Sequence, residues 1–398
     1  MKKGNMLIAQ SGGPSMVINQ SLAGAVLAAR ELKEVGRIYG ALHGIQGILD
    51  ENFINLRKES KATIEAVALT PSSALGSVRR KPTPADCQSI FKVLRKLDIR
   101  YFFYIGGNDS AETVHIINEE AKKEGYSICC FHIPKTIDND LRENDHTPGY
   151  GSAAKFVASA TKGDDLDNRA LGGVKIDIIM GRNAGFLTAS AALARVDDDD
   201  GPHLIYLPER TFTMAQFVKD VKAAMKKYGR CVIAVSEGIA DKQGVPIIAK
   251  YTKEVDAHGN VQMSGTGALG DLLASILKEK AKIKRVRADT FGYLQRSFPG
   301  VVSESDAAEA RQAGAAAVKA AVVDGIASGS IAIKRKKAKK YAVTFESVAL
   351  RKVAKETRHM PASYINKAGN NVTKAFIDYA RPLVGPLTPC ARFAQLRK

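Results

Sequence analysis

Tryptophan is absent from the 398 residues, and no uncharged apolar run approaches the roughly 18 residues that a membrane-spanning helix needs. Cysteine occurs five times, at Cys87, Cys129, Cys130, Cys231 and Cys390, an odd and scattered set without a Cys-x-x-Cys pair or a Cys/His cluster of zinc spacing. That excludes a zinc module and a disulfide framework. The thiols are expected reduced, with Cys129 and Cys130 inside a buried strand. Met1–Gln10 is too short and polar for a secretory signal, so a cytoplasmic location with no membrane partner is expected. Neither a G-x-x-x-x-G-K-[ST] loop nor an H-E-x-x-H helix occurs. Acidic charge is the last scarcity: 41 Asp plus Glu stand against 59 Lys plus Arg, a formal charge of +18.

Such an excess invites a nucleic-acid partner. The excess is local, however. Residues 334–398 hold 16 Lys/Arg against 3 Asp/Glu, which leaves 43 against 38 in residues 1–333. The basic run Lys334–Lys340 is accompanied by no nucleic-acid module and is followed by strand-like Tyr341–Phe345, so no nucleic-acid partner is expected. With 45% hydrophobic and 25% charged residues, the chain is a folded one of two or three domains.

Short apolar runs alternate with helix-period segments, the signature of an α/β fold. Strands are expected at Met6–Ala9, Tyr101–Ile105, Ser127–Ile133, Val174–Met180, His203–Leu207, Cys231–Ser236 and Lys284–Asp289. Most lack polar alternation, as in strands covered on both faces. Helices are expected at Val17–Glu34, Ala111–Glu124, Ser152–Lys162, Ala184–Arg195, Met214–Tyr228, Leu269–Lys282 and Ser303–Val323.

Doubly wound sheets bind ligands at the carboxyl ends of their strands, and the chemistry-bearing residues fall in those turns. Gln10–Ser15 and Gly106–Ser110 each contain a Gly-Gly pair that lets backbone approach an anion, and each feeds a helix whose amino end favours phosphate. Singly, such a turn is mere punctuation; two in register on one sheet edge favour a phosphate site. Pro134–Asp140 places one lysine and two carboxylates at a strand exit, more than a helix cap or turn explains. Asp138 can accept a proton from a hydroxyl, and Lys135 can neutralise a transferring phosphoryl group; Asp140 suits a structural role. Met180–Gly185 brings Arg182, whose planar fork can grip phosphate, although a surface arginine on a turn is an even alternative. Glu237 can hold sugar hydroxyls or simply cap a helix. Arg287 and Arg296 supply cations for a second anionic group. Gly265–Gly270 fits G-x-G-x-x-G with Asp289 at the expected distance, but the preceding Val255–Met263 reads as a hairpin around His258-Gly259-Asn260, so this motif is set aside. The acids Asp197–Asp200 are more ordinarily solvated than metal-binding.

Together these turns, in order from about Met6 to Arg296, resemble the phosphofructokinase family. The resemblance implies two Rossmann-like, doubly wound, three-layer α/β domains with interleaved chain segments. It makes Asp138 the base for the 1-hydroxyl of fructose 6-phosphate. It also gives sugar contacts at Thr136, Ile137, Met180, Gly181, Arg182, Glu237 and Tyr293, with Arg296 and, across a subunit boundary, Arg287 on the 6-phosphate. Gly12 and Arg79 lie on the donor side. Lys135 and Asp109, counted with Asp138 in the catalytic centre, choose the donor. ATP-using members carry glycines at these two places, and Lys135 with Asp109 matches the pyrophosphate branch. A carboxylate at position 109 would stand where a nucleotide α-phosphate lies, and like charges about 4 Å apart repel by roughly 4 kcal/mol at an effective dielectric of 20. Asn108 stands where most members have a magnesium-binding aspartate, so Mg²⁺ is expected, held through the Asn108 amide oxygen, through water, or mainly by the substrate's own phosphates. Tyr293 replaces a histidine common in ATP enzymes.

The expected domains are 1–149 with about 293–345 for pyrophosphate, 150–292 for the sugar phosphate, and 346–398 as a basic, helical extension packed on the core or at an interface. The expected activity is reversible, pyrophosphate-dependent phosphorylation of fructose 6-phosphate by a homodimer or homotetramer. An ATP-dependent phosphofructokinase is the nearest alternative.

Overall fold

The computed structural model describes residues 3–250, 266–354 and 357–393. The chain divides into two compact units, Met1–Ser152 with Arg296–Arg358, and Ala153–Gln295 with His359–Lys398. Residues 346–398 divide between the two units. The part up to Arg358 clusters with the first unit and the remainder with the second.

The first unit is built on a seven-stranded sheet. In chain order its strands are β1 (Gly4–Gln10), β2 (Val35–Ala41), β3 (Phe53–Asn55), β4 (Ile99–Gly106) and β5 (Cys129–Pro134), and later β10 (Ser328–Arg335) and β11 (Val343–Val348). Their spatial order is β11-β10-β5-β4-β1-β2-β3, parallel except for the antiparallel edges β3 and β11. Alternate side chains feed two cores. Met6, Ile8 and Phe103 join one with the helices Ile18–Arg30 and Glu304–Val318, while Leu7, Ala9, Phe102 and Tyr104 join the other with Pro84–Lys96 and Asn108–Lys123. A strand buried on both faces has no polar side to alternate with, which is why β1 and β4 read as unbroken apolar runs.

The second unit holds a four-stranded parallel sheet of β6 (Gly173–Ile179), β7 (Leu204–Tyr206), β8 (Arg230–Ser236) and β9 (Val286–Thr290), in the order β7-β8-β6-β9. Val174, Ile176 and Ile178 of β6 enter one apolar core. On its other face β6 carries Lys175 and the fully buried Asp177, with Asp164 of the helix Tyr150–Leu171 at 3.1 Å from the Lys175 ammonium.

Several elements differ from expectation. β2, β3 and β10 escape the sequence pattern because they are short, glycine-bearing or charged, while β11 overlaps the strand-like Tyr341–Phe345. Lys334 and Arg335 end β10, and residues 336–340 turn back into β11, so the basic run is an exposed hairpin. The expected helix Ala184–Arg195 is one α-turn, Phe186–Ala189, followed by the 3₁₀ segment Ser190–Ala194. There Ser190 Oγ donates to the Leu187 carbonyl at 2.5 Å, a local bond that competes with helical ones. Of the acids Asp197–Asp200, Asp198 is exposed as expected, whereas the other three are half-buried and paired with arginines. Arg169 bonds Asp199 and Asp200 at 2.7 Å each, and Arg392 pairs with Asp197, Asp199 and Asp200. The hairpin expected at Val255–Met263, with Gly265, lies outside the described residues.

Candidate active site

From β1 the chain runs to β2 on one side and later to β4 on the other, so the sheet's switch point opens at the carboxyl ends of β1 and β4. Gln10–Ser15 and Gly106–Ser110 flank it, joined by a hydrogen bond between the Ser11 and Ser110 hydroxyls. Gly12 has φ +75°, a conformation L side chains rarely adopt. A Cβ there would stand 3.5 Å from the Lys135 ammonium, and one at Gly13 would stand 2.9 Å from Arg296 Nη1. The two glycines thus leave room for two cations. The Gly12 N–H already donates to the Val78 carbonyl at 3.3 Å, so its contribution is chiefly space.

Lys135 is 5% exposed. Its N–H donates to the Gly106 carbonyl at 2.9 Å and its ammonium to the Gly13 carbonyl at 2.5 Å. Burial, the largest influence, pulls its pKa down to about 8; Asp138 and Asp140 oppose this, and Arg296 and Arg79 reinforce it. Four of the expected residues therefore share one electrostatic neighbourhood with Asp140. Half-buried Asp138 donates its N–H to Thr136 Oγ1 at 3.1 Å, and that hydroxyl donates to Asp140 at 3.2 Å. Burial first of all raises the Asp140 carboxyl. Ile137 is buried beside them.

Asp109 is exposed and paired with Lys81 at 2.9 Å, an ammonium it shares with Glu112 at 2.7 Å. Asn108 Oδ1 accepts the Asp109 N–H at 2.9 Å, so that amide oxygen is engaged at the start of its own helix. Among the described residues no three His, Cys, Asp or Glu side chains converge. This donor set does not fit a divalent cation held by the described side chains alone, and leaves Asn108 Oδ1, with its second lone pair, as at most one ligand beside water and substrate phosphate.

In the second unit the switch point lies at β6, which has β8 on one side and β9 on the other. Met180–Gly181–Arg182 follows β6 and Ser236–Glu237–Gly238 follows β8. Gly181 has φ +132°, and its carbonyl accepts the Ser236 hydroxyl at 2.7 Å. Gly238 packs directly on the Arg182 backbone, where a Cβ would meet the carbonyl oxygen at 2.1 Å. These contacts hold Arg182 beside the buried Glu237. Tyr293 is 47% exposed. Arg287 is not with them. It pairs in register with Lys175 near the amino end of the sheet, five residues before Met180, or about 16 Å of strand.

The model of the family described as phosphofructokinase matches residues 5–321. The chain belongs to the phosphofructokinase family. It is 56% identical over 393 residues to the pyrophosphate–fructose 6-phosphate 1-phosphotransferase of Rhodospirillum rubrum, covering 98% of this chain and 96% of that one. The namesake from Xanthomonas campestris is 38% identical over 98% of this chain and 94% of its own. The crystal structure of a pyrophosphate-dependent phosphofructokinase from Nitrosospira multiformis superposes with a TM-score of 0.88 at 33% identity, covering 99% and 95% of the two chains.

Sequence reasoning missed three contributors. His132 is fully buried, joins the Gly106 carbonyl to Ser330 at 2.8 Å each, and is held neutral by burial, its pKa near 4. Lys81 faces Asp109, and Arg358 reaches the turn after Asp138. Each lies far in sequence from the group it serves, with no motif to mark it.

Proposed function

We propose that this phosphofructokinase transfers a phosphoryl group from pyrophosphate to the 1-hydroxyl of fructose 6-phosphate, releasing phosphate, and does so reversibly. The observation that carries the reading is the buried Lys135 ammonium lodged against the Gly12-Gly13 turn with Asp138 three residues on. An ATP site has no need of a cation in that space, whereas a short, highly charged donor does.

The first unit carries the donor residues and the second most of the sugar residues. In the second unit Arg182 and Glu237 hold the sugar phosphate, with Met180, Gly181 and Tyr293 as further sugar contacts, and in the first unit Thr136 and Ile137 are the sugar contacts beside Asp138. Asp138 takes the 1-hydroxyl proton while the oxygen attacks the distal phosphorus and the bridging P–O bond breaks. Lys135 and Arg79 offset the charge that develops on the departing phosphate, while Arg296 serves the 6-phosphate of the sugar. One phosphoric anhydride bond is exchanged for one phosphate ester bond, so neither direction is closed.

Phosphoryl transfer of this kind generally uses a divalent metal. Because the protein alone offers no cage, Mg²⁺ is proposed to arrive as the chelate of pyrophosphate, as part of that substrate. The distance of Arg287 from its own chain's Met-Gly-Arg turn supports a role in a second subunit's site, hence a homodimer or homotetramer.

The test is fructose 6-phosphate phosphorylation with each donor. Robust turnover with pyrophosphate and little with ATP is expected. ATP turnover without pyrophosphate turnover overturns the donor assignment, and turnover with neither overturns the activity.

A further inference from the structure

The turn that carries Asp138 is held by a residue from far along the chain. Arg358 donates through Nε and Nη2 to the Asn139 carbonyl at 3.2 and 2.7 Å, and through Nη1 to the carbonyls of Asn144 and Asp145 at 2.5 and 2.8 Å. Its own N–H donates to the Asp140 carbonyl at 2.6 Å, and Thr357 pairs with Leu141 as an isolated antiparallel bridge. β10 grips the far end of the same loop: Ile333 donates to Asn144 Oδ1 and Arg335 to the Asp145 carboxylate, at 2.9 and 2.5 Å.

All three guanidinium nitrogens are thus spent on loop carbonyls, and they gather both ends of residues 139–145 into one point. Asn139 is fully buried in the left-handed region at φ +58°, a conformation that costs free energy in isolation and needs outside support. Its carbonyl is the one that receives two of the Arg358 bonds, and its N-terminal neighbour is Asp138.

We infer that Arg358 is a positioning residue for the proton acceptor: it sets the direction of the Asp138 carboxylate without touching substrate. The inference rests on the proposed role of Asp138. Only a planar fork serves, because a lysine ammonium is a point donor that cannot span carbonyls of residues 139 and 144 at once.

The experiment compares Arg358→Lys and Arg358→Ala with the full-length enzyme in steady-state kinetics and thermal melting, with Asp138→Asn as control. In both Arg358 variants kcat is expected to fall by about 100-fold while KM for fructose 6-phosphate stays within about threefold, the pattern of a misaimed group at an occupied site. Methylguanidinium added to Arg358→Ala is expected to restore part of kcat, which general stabilisation would not do. If Arg358→Ala does not fold, Arg358→Lys decides. Wild-type kcat in the folded variants, or a loss that only follows the melting curve and is not rescued, overturns the inference. A dead Asp138→Asn beside a fully active Arg358→Lys overturns this inference alone; a fully active Asp138→Asn overturns the base assignment with it.

Discussion

The ammonium of Lys135 donates a 2.5 Å hydrogen bond to the carbonyl oxygen of Gly13, joining the exit of β5 to the turn after β1 across 122 residues of sequence. The cation is nearly sealed from water by that contact, and its titration follows. Burial, its largest influence, brings the pKa to about 8. Pyrophosphate binding adds negative charge and raises it again, so binding at pH 8 is expected to take up a substantial fraction of a proton and at pH 6 almost none. Calorimetry in buffers of different ionisation enthalpy measures this, and Lys135→Met should abolish it. In the free enzyme the unfolded chain holds more protons than the folded one between about pH 8 and 10.5, so stability rises with pH across that window. The Lys135→Met variant should lack that rise, and identical pH–stability curves would contradict the burial argument.

Donor choice is expected to need both changes at positions 109 and 135. Asp109 is exposed and paired with Lys81, so its repulsion of a nucleotide phosphate falls from the roughly 4 kcal/mol of a shielded pair to about 1 kcal/mol in a water-like medium. Asp109→Gly alone should then improve ATP use by no more than about tenfold. Adding Lys135→Gly should weaken pyrophosphate use and admit ATP further. Unchanged pyrophosphate kinetics in the double variant would show that these positions do not select the donor.

Replacing Asp138 with Ala should lower kcat by about 100-fold or more, the scale of lost general-base catalysis, with fructose 6-phosphate binding still measurable by equilibrium titration. Near-normal turnover would remove Asp138 from the mechanism.

Asp177 offers a stability test away from the chemistry. Its carboxyl is wholly buried, and burial, followed by the charge of the neighbouring Asp164 and a hydrogen bond to it, raises its pKa well above the usual range. The folded form therefore keeps a proton that the unfolded form loses near pH 4, and stability is withdrawn as pH rises above that value. Asp177→Asn should match wild type below about pH 4 and exceed it at neutral pH by at least about 1 kcal/mol in denaturant unfolding. A variant less stable at pH 7 would mean that the carboxylate is paired in solution.

Much of this was legible in the sequence because each strand-end turn is local. The glycines at 12 and 181, the Lys135 to Asp138 spacing and the Met180 to Arg182 triplet all fall within a few residues of a buried strand, and the family they indicate is the family to which the chain belongs. Charge was less legible. The basic tail read as lying outside the chemistry, yet Arg358 from it binds the turn after Asp138, and Arg392 joins Arg169 in pairing the acids of the 197–200 loop. That the Asn108 oxygen also accepts the Asp109 N–H was not legible either.

The sequence by itself determined the fold class, the family and the order of the motifs, since these depend on hydrophobic period and short-range turn chemistry. Only the tertiary structure decided which distant groups meet: Arg296 with Gly13, Lys81 with Asp109, Arg358 with Asn139. Such pairings rest on which strands become neighbours in the sheet, and a contact between residues tens to hundreds of positions apart leaves no period or spacing along the chain.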